Sequence, residues 1–231
     1  MTLTQRMRIE MLNASLFENL TNLLKKEKFL HWVEKDSIRI EEIKNRGKKG
    51  KLQELIIKDI PYDKNGIDIW QFNLEKEVRG ISPIANKTVE TALACFEDGK
   101  LTVFLIEMKS SIREKGNKRT LVELKEKIED SISRFYFLLL LFLYDPEILK
   151  EKGIDFDEFK KSKTKFKGIV LYNNSKIDEH IDKSEKIYKA FKGDKKPIEC
   201  EPVLGRQKIH LRFHKNPNKN QESFEISFDK L

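Results

Sequence analysis

Two apolar, strand-like runs, residues 89–96 and 101–109, are joined through Glu97-Asp98-Gly99-Lys100, and no other feature constrains this chain as tightly. Asp-Gly is a favoured two-residue hairpin turn because both central positions of such a turn take positive φ. A turn that short fixes the register. Phe96 faces Leu101, Ala94 faces Val103, Ala92 faces Leu105, and Glu90 is expected to face Glu107. Side chains alternate along a strand, so Lys109 points to the same face as Glu107. Two carboxylates and an ammonium are thereby expected together at the open end of one hairpin. Like charges placed opposite each other destabilise a sheet unless something neutralises them. A lysine helps, and a divalent cation held by hard carboxylate oxygens helps more.

The flanking sequence supplies the rest of the expected architecture. Leu16, Leu20, Leu23, Leu24 and Trp32 recur at helical spacing, which predicts a helix over residues 16–33. A second helical segment is expected over 37–44, followed by a basic loop ending at Lys51. Residues 52–60 and the alternating stretch from Asp68 to Leu74 read as strands. After the hairpin, a basic loop over 113–119 leads into a long helix. Thr120 and Glu123 have capping-box spacing there, and Leu121, Leu124, Ile128, Ile132, Phe135 and Leu139 line one face. Residues 166–172 suit a central strand, and 175–191 read as a helix. Alternation over 208–214, a turn at Asn216-Pro217-Asn218 and the return of Phe224, Ile226 and Phe228 predict a C-terminal β-hairpin. Strands, then a long helix, then a strand place the chain in the α/β or α+β class, with a central mixed β-sheet.

Length and composition bound what such a chain can be. With 231 residues it can bury a real core, and its 15 Phe argue for packing despite 36% charged residues. Three segments of one globular unit are expected: a helical 1–51, a core 52–172, and an extension 173–231. Cys95 and Cys200 are far apart and form no CxxC pair, so neither a disulfide framework nor a structural zinc site is implied. Residues 1–10 lack the apolar stretch of a signal peptide. The longest apolar run, 135–144, is about half of the ~20 residues that span a bilayer. A cytoplasmic protein without a membrane role is expected.

The stretch Val103-Phe104-Leu105-Ile106-Glu107-Met108-Lys109 resembles the apolar strand ending in (D/E)-x-K of the PD-(D/E)XK nuclease superfamily. The earlier acid, the following helix and the strand over 166–172 resemble the rest of its αβββαβ restriction-endonuclease-like core, so the resemblance covers roughly residues 52–172. It implies phosphodiester hydrolysis, of DNA more than RNA, in restriction, repair or defence. It also implies Mg²⁺ or Mn²⁺ held by Glu90, Glu107 and the backbone carbonyl of Met108. Lys109 would orient or help deprotonate the attacking water and offset charge in the transition state. The first acid of that family is usually Asp, often after Pro, whereas here it is Glu90 after Val89; Asp68 is an alternative of the commoner type.

A formal net charge of +8 fits a polyanionic partner. Arg113, Lys115, Lys118 and Arg119, the lysines at 160–167 and at 195–196, and the face made by Lys208, His210, Arg212 and His214 are candidate phosphate contacts. The alternatives are a nucleic-acid-binding protein without turnover, and a structural or partner-binding protein whose charge serves solubility. A homodimer is compatible with the sequence but not dictated by it. A Gly-rich phosphate loop, a nucleophile elbow and HExxH are all missing from the sequence, which weighs against NTPases, serine hydrolases and zinc proteases.

Overall fold

The structure is a computed structural model that describes residues 30–41, 52–61, 67–75, 88–97, 100–115, 118–143, 164–177, 185–202, 205–217 and 221–231. In chain order the elements are β1 (Leu30–Trp32), β2 (Ile38–Glu41), β3 (Glu54–Lys58), β4 (Asp68–Phe72), β5 (Thr91–Glu97), β6 (Lys100–Lys115) and β7 (Lys118–Arg119). Then come α1 (Thr120–Leu143), β8 (Thr164–Ile177), α2 (Lys186–Phe191), β9 (Ile198–Cys200), β10 (Gln207–Lys215), β11 (Ser223–Ser227) and a 3₁₀ turn, Phe228–Lys230. The protein is a mixed α+β structure with two mixed sheets.

The larger sheet runs β1-β4-β5-β6-β8-β10-β9, with β7 folded back on β6; the smaller runs β11-β3-β2. The hairpin register is as the turn dictates: Phe96 pairs with Leu101, Ala94 with Val103 and Ala92 with Leu105. Asp98 and Gly99 themselves lie outside the described residues. β6 and β8 are parallel, so α1 is the crossover that returns the chain to the same end of the sheet. Among the described residues, no helix is long and apolar enough to cross a membrane.

One face of the large sheet is covered by α1 and α2, the other by the small sheet. On the helix side, Leu121, Leu124, Ile128, Ile132 and Phe135 pack on Ala92, Ala94, Val103, Leu105 and Val170. The two alanines lower the sheet surface where the helix crosses. Phe135 meets Phe72 and Phe166 edge-on, at 5.2 and 5.9 Å between centroids. On the other side, Ile106, Met108, Ile169 and Leu171 pack against Leu55, Ile57, Phe224 and Ile226. Gly168 of β8 makes room for Leu211 of β10, because a Cβ there would collide with the leucine side chain. Cys95 and Cys200 are free and belong to the cores on opposite faces.

Several sequence expectations are corrected. The helix expected over 16–33 gives way at its end to β1, paired antiparallel with β4; residues 16–29 lie outside the described residues. The helix expected over 37–44 is strand β2 where it is described. Ile38 and Ile40 are buried while Arg39 and Glu41 are exposed, a period of two rather than 3.6. The expected loop at 113–119 is the end of β6 and the short return strand β7. Of the helix expected over 175–191, Ser175 to Ile177 are instead strand, because β6 continues to Lys115 and gives β8 a partner that far; α2 spans Lys186–Phe191, and residues 178–184 lie outside the described residues.

The C-terminal β-hairpin is also overturned. β10 pairs in parallel with β8 and antiparallel with β9, whereas β11 crosses to the small sheet and lies parallel to β3. Each strand has one apolar face to bury, and the two faces find different cores. Asn216 pins the corner: its backbone N–H donates to the Tyr172 carbonyl at 2.8 Å, and its amide donates to Asn173 Oδ1 and to the Ser223 carbonyl. The segments expected over 1–51, 52–172 and 173–231 therefore share sheets across their boundaries.

Candidate functional site

The approach to β5 is held from both neighbours. Thr88 and Thr91 hydroxyls donate to the Leu74 and Phe72 carbonyls at 2.9 and 2.8 Å, and Val89 N–H donates to Ser131 Oγ of α1 at 2.9 Å. The β5–β6 ladder stops at Thr91 and Ile106. Beyond it, Met108 has no β5 backbone partner, and Glu90 supplies one with its side chain: Oε2 accepts the Met108 N–H at 2.6 Å. The N–H and C=O of one residue in an extended strand leave on the same edge, so the Met108 carbonyl also points toward the Glu90 side.

Glu107 and Lys109 pair with Val170 and Tyr172 of β8, residues of the helix-side core, so both point toward α1. Glu107 is 1% exposed. Its Oε1 is the acceptor for two ammonium groups, Lys109 Nζ and, at 2.8 Å, Lys127 Nζ from α1. Lys127 also lies 3.8 Å from Glu75 Oε1. The structure thus brings Glu90, Glu107 and Lys109 together and adds Lys127 and Glu75. Sequence reasoning missed both additions. Lys127 and Ser131 stand four residues apart beside the apolar stripe of α1, a polar line facing the sheet that was the available signal. Glu75 carried none.

Electrostatics divide the two acids. Burial pushes Glu90 well above the ordinary glutamate pKa of 4.5, and the Glu107 charge pushes it further; Lys127 and Lys109 only partly oppose this. Burial acts on Glu107 in the same sense, but Lys109 and Lys127 outweigh it and hold that carboxyl below the ordinary range. Burial disfavours the Lys109 ammonium, yet Glu107 more than compensates and its pKa is raised. This balance biases Glu90 towards its neutral form and Glu107 towards its charged form. Glu107 Oε2 is a buried oxygen with no hydrogen-bond partner among the described residues.

That orphaned oxygen, the adjacent Glu90 carboxyl and the Met108 carbonyl are the groups able to hold a small divalent cation, and their all-oxygen chemistry suits one that keeps several waters. Among the described residues, no three His, Cys, Asp or Glu side chains gather as a metal-binding group. Asp68 does not join the cluster. It pairs with Phe96, level with Leu101, six positions along β6 from Glu107, or about 20 Å.

The expected phosphate contacts are dispersed. Arg113 and Arg119 are exposed at the far end of β6, roughly 20 Å from Glu107, and the side chains of Lys115 and Lys118 lie outside the described residues. Arg212 pairs with Ile169 and so faces the small sheet, opposite to Glu107; its Nη1 donates to the Lys230 carbonyl at 3.1 Å. Lys208 is exposed and pairs with Glu199. His210 and His214 share the Arg212 face; His210 Nδ1 lies 3.1 Å from the Lys195 carbonyl. Burial, then Arg212 and Lys230, lowers the pKa of His214. Lys165 and Lys167 are part of β8, as the strand expected over 166–172 already placed Lys167. Burial and the neighbouring Arg212 and Lys165 lower the pKa of Lys167, which marks a basic group on that face. Comparison of the chain with protein-family models, curated proteins and solved structures finds no match.

Proposed function

We propose that this protein is a metal-dependent nuclease of the PD-(D/E)XK type that hydrolyses phosphodiester bonds in the cytoplasm, with DNA preferred to RNA. One observation carries the reading: Glu90, Glu107 and Lys109 meet in a buried cluster at the open end of the β5–β6 hairpin. The surrounding order supports it. Antiparallel β4, β5 and β6, then helix α1, then parallel β8 correspond to the βββαβ part of a restriction-endonuclease-like core.

In this reading Glu90, Glu107 and the Met108 carbonyl hold Mg²⁺ or Mn²⁺. Bound there, the cation would lower the pKa of a coordinated water and stabilise the departing oxygen. Lys109 is fixed by Glu107 and 23% exposed, so its ammonium can orient the attacking water and offset the charge that builds on the phosphorus oxygens. Burial of the acids keeps bulk water from competing with these contacts. Lys165, Lys167, Lys208 and Arg212 supply a basic surface on the opposite face for phosphates away from the scissile bond.

The test is cleavage of DNA with Mg²⁺ or Mn²⁺ by wild type, Glu107→Gln and Lys109→Ala, with circular dichroism as a check on folding. Loss of at least about a hundredfold in rate in both folded variants is expected. A second reading, binding of nucleic acid without turnover, is favoured by the two ammonium groups on Glu107, which neutralise it without a cation. Salt-sensitive DNA binding by wild type, with no cleavage under either metal, would establish that reading instead.

A further inference from the structure

We propose that Lys127 is a placeholder cation, occupying Glu107 while the metal is absent and swinging to Glu75 when a divalent cation enters. The inference rests on the metal-site reading above and adds what controls loading of the site.

Lys109 and Lys127 share one oxygen of Glu107, while the other, Oε2, is buried and has no hydrogen-bond partner among the described residues. Together the two ammonium groups already neutralise the charge on Glu107. A divalent ion added to that arrangement brings two further positive charges against two ammonium groups at contact distance, in a site largely closed to water. One ammonium must withdraw. Lys109 sits on the same strand as Glu107, two residues away, and among the described residues its ion pair is with Glu107 alone. Lys127 comes from α1 and already has Glu75 Oε1 at 3.8 Å, slightly beyond its 2.8 Å contact with Glu107. Its side chain needs only a small displacement to exchange one acid for the other. The helix need not move: Ser131 Oγ accepts the Val89 N–H and donates to the Lys127 carbonyl at 2.6 Å, tying this turn of α1 to the start of β5. Lys127 is therefore a positioning residue that acts through Glu107.

The experiment is calorimetric titration of Mn²⁺ into the full chain, comparing wild type with Lys127→Met, Glu75→Gln and Glu107→Gln. Removing the competing ammonium is expected to tighten Mn²⁺ binding about tenfold in Lys127→Met, and removing its second acceptor to weaken binding about threefold in Glu75→Gln. Unchanged or weaker binding in folded Lys127→Met overturns the placeholder. If that variant does not fold, unchanged affinity in Glu75→Gln overturns it. Glu107→Gln separates the two proposals. Binding lost there, but unaltered in Lys127→Met, leaves the metal site standing and removes only the placeholder. Wild-type affinity in Glu107→Gln removes the metal site and the placeholder together, as does the absence of Mn²⁺ binding in both wild type and Lys127→Met.

Discussion

Glu107 and Glu114 stand seven residues apart on β6, both buried, and their carboxyls are biased in opposite directions. Burial penalises the charged form of each. At Glu107 the penalty is overcome by Lys109 and Lys127. At Glu114 the principal partner is a neutral donor, the Leu121 N–H in the first turn of α1, and burial wins, so its pKa is raised. Glu114 serves the helix: it satisfies an N–H that the first turn of α1 cannot pair internally. Among the described residues, Glu107 serves no backbone group. It holds two ammonium ions and keeps one oxygen unsatisfied, which is an expensive way to build a sheet and a sensible way to build a site.

The sharpest way to break this comparison is to neutralise each acid in turn. Glu107→Gln leaves two ammonium groups facing an amide. They are 23% and 18% exposed, so water offsets part of the cost, and urea denaturation is expected to show a loss of about 2–3 kcal/mol. A cost no greater than that of Glu114→Gln would make the two positions equivalent and sink the distinction.

A smaller effect lies in the pH dependence. Glu90 has its folded pKa above the ordinary 4.5, so its contribution to stability is full below that value and is lost as pH rises through the folded pKa. Glu107 is the reverse: its contribution is present above 4.5 and lost as pH falls through its lowered value. Glu90→Gln should remove a slope of up to about 1.4 kcal/mol per pH unit on the alkaline side of 4.5, so the variant gains on wild type as pH rises. Parallel stability curves for the two proteins would show that Glu90 does not carry the proton.

The smallest effect belongs to the structural acid. Glu114→Ala is expected to lower stability by about 1 kcal/mol, the worth of a helix cap, and to leave any nuclease activity unchanged. A loss of cleavage comparable to that of Glu107→Gln would extend the site along the whole of β6.

How much of this was legible depended on how local the cause was. The Asp-Gly dipeptide at 98–99 predicts which residues pair across β5 and β6, and the register from Glu97 and Lys100 onward agrees with it. That pairing brings Glu90 near Glu107 and Lys109. The stripe through Leu121, Leu124, Ile128 and Ile132 locates α1 for the same reason: one helix face must be apolar. Where the sequence misled, a partner distant in the chain decided. Ser175 to Ile177 are a strand because β6 runs on beside them, and Ile38 to Glu41 are a strand because β3 pairs with them.

What the sequence determined by itself is short-range: a turn, an alternation, a helical stripe, and therefore two acids and an amine on one hairpin. Tertiary structure decided the rest. It brought Lys127 from α1 onto Glu107, sent β10 and β11 to different sheets, and put Arg212 on the face away from the acids. Backbone geometry sets local pairing within a few residues, whereas burial and charge partners come from whichever distant segments close over the same face, and no stretch of sequence encodes that closure alone.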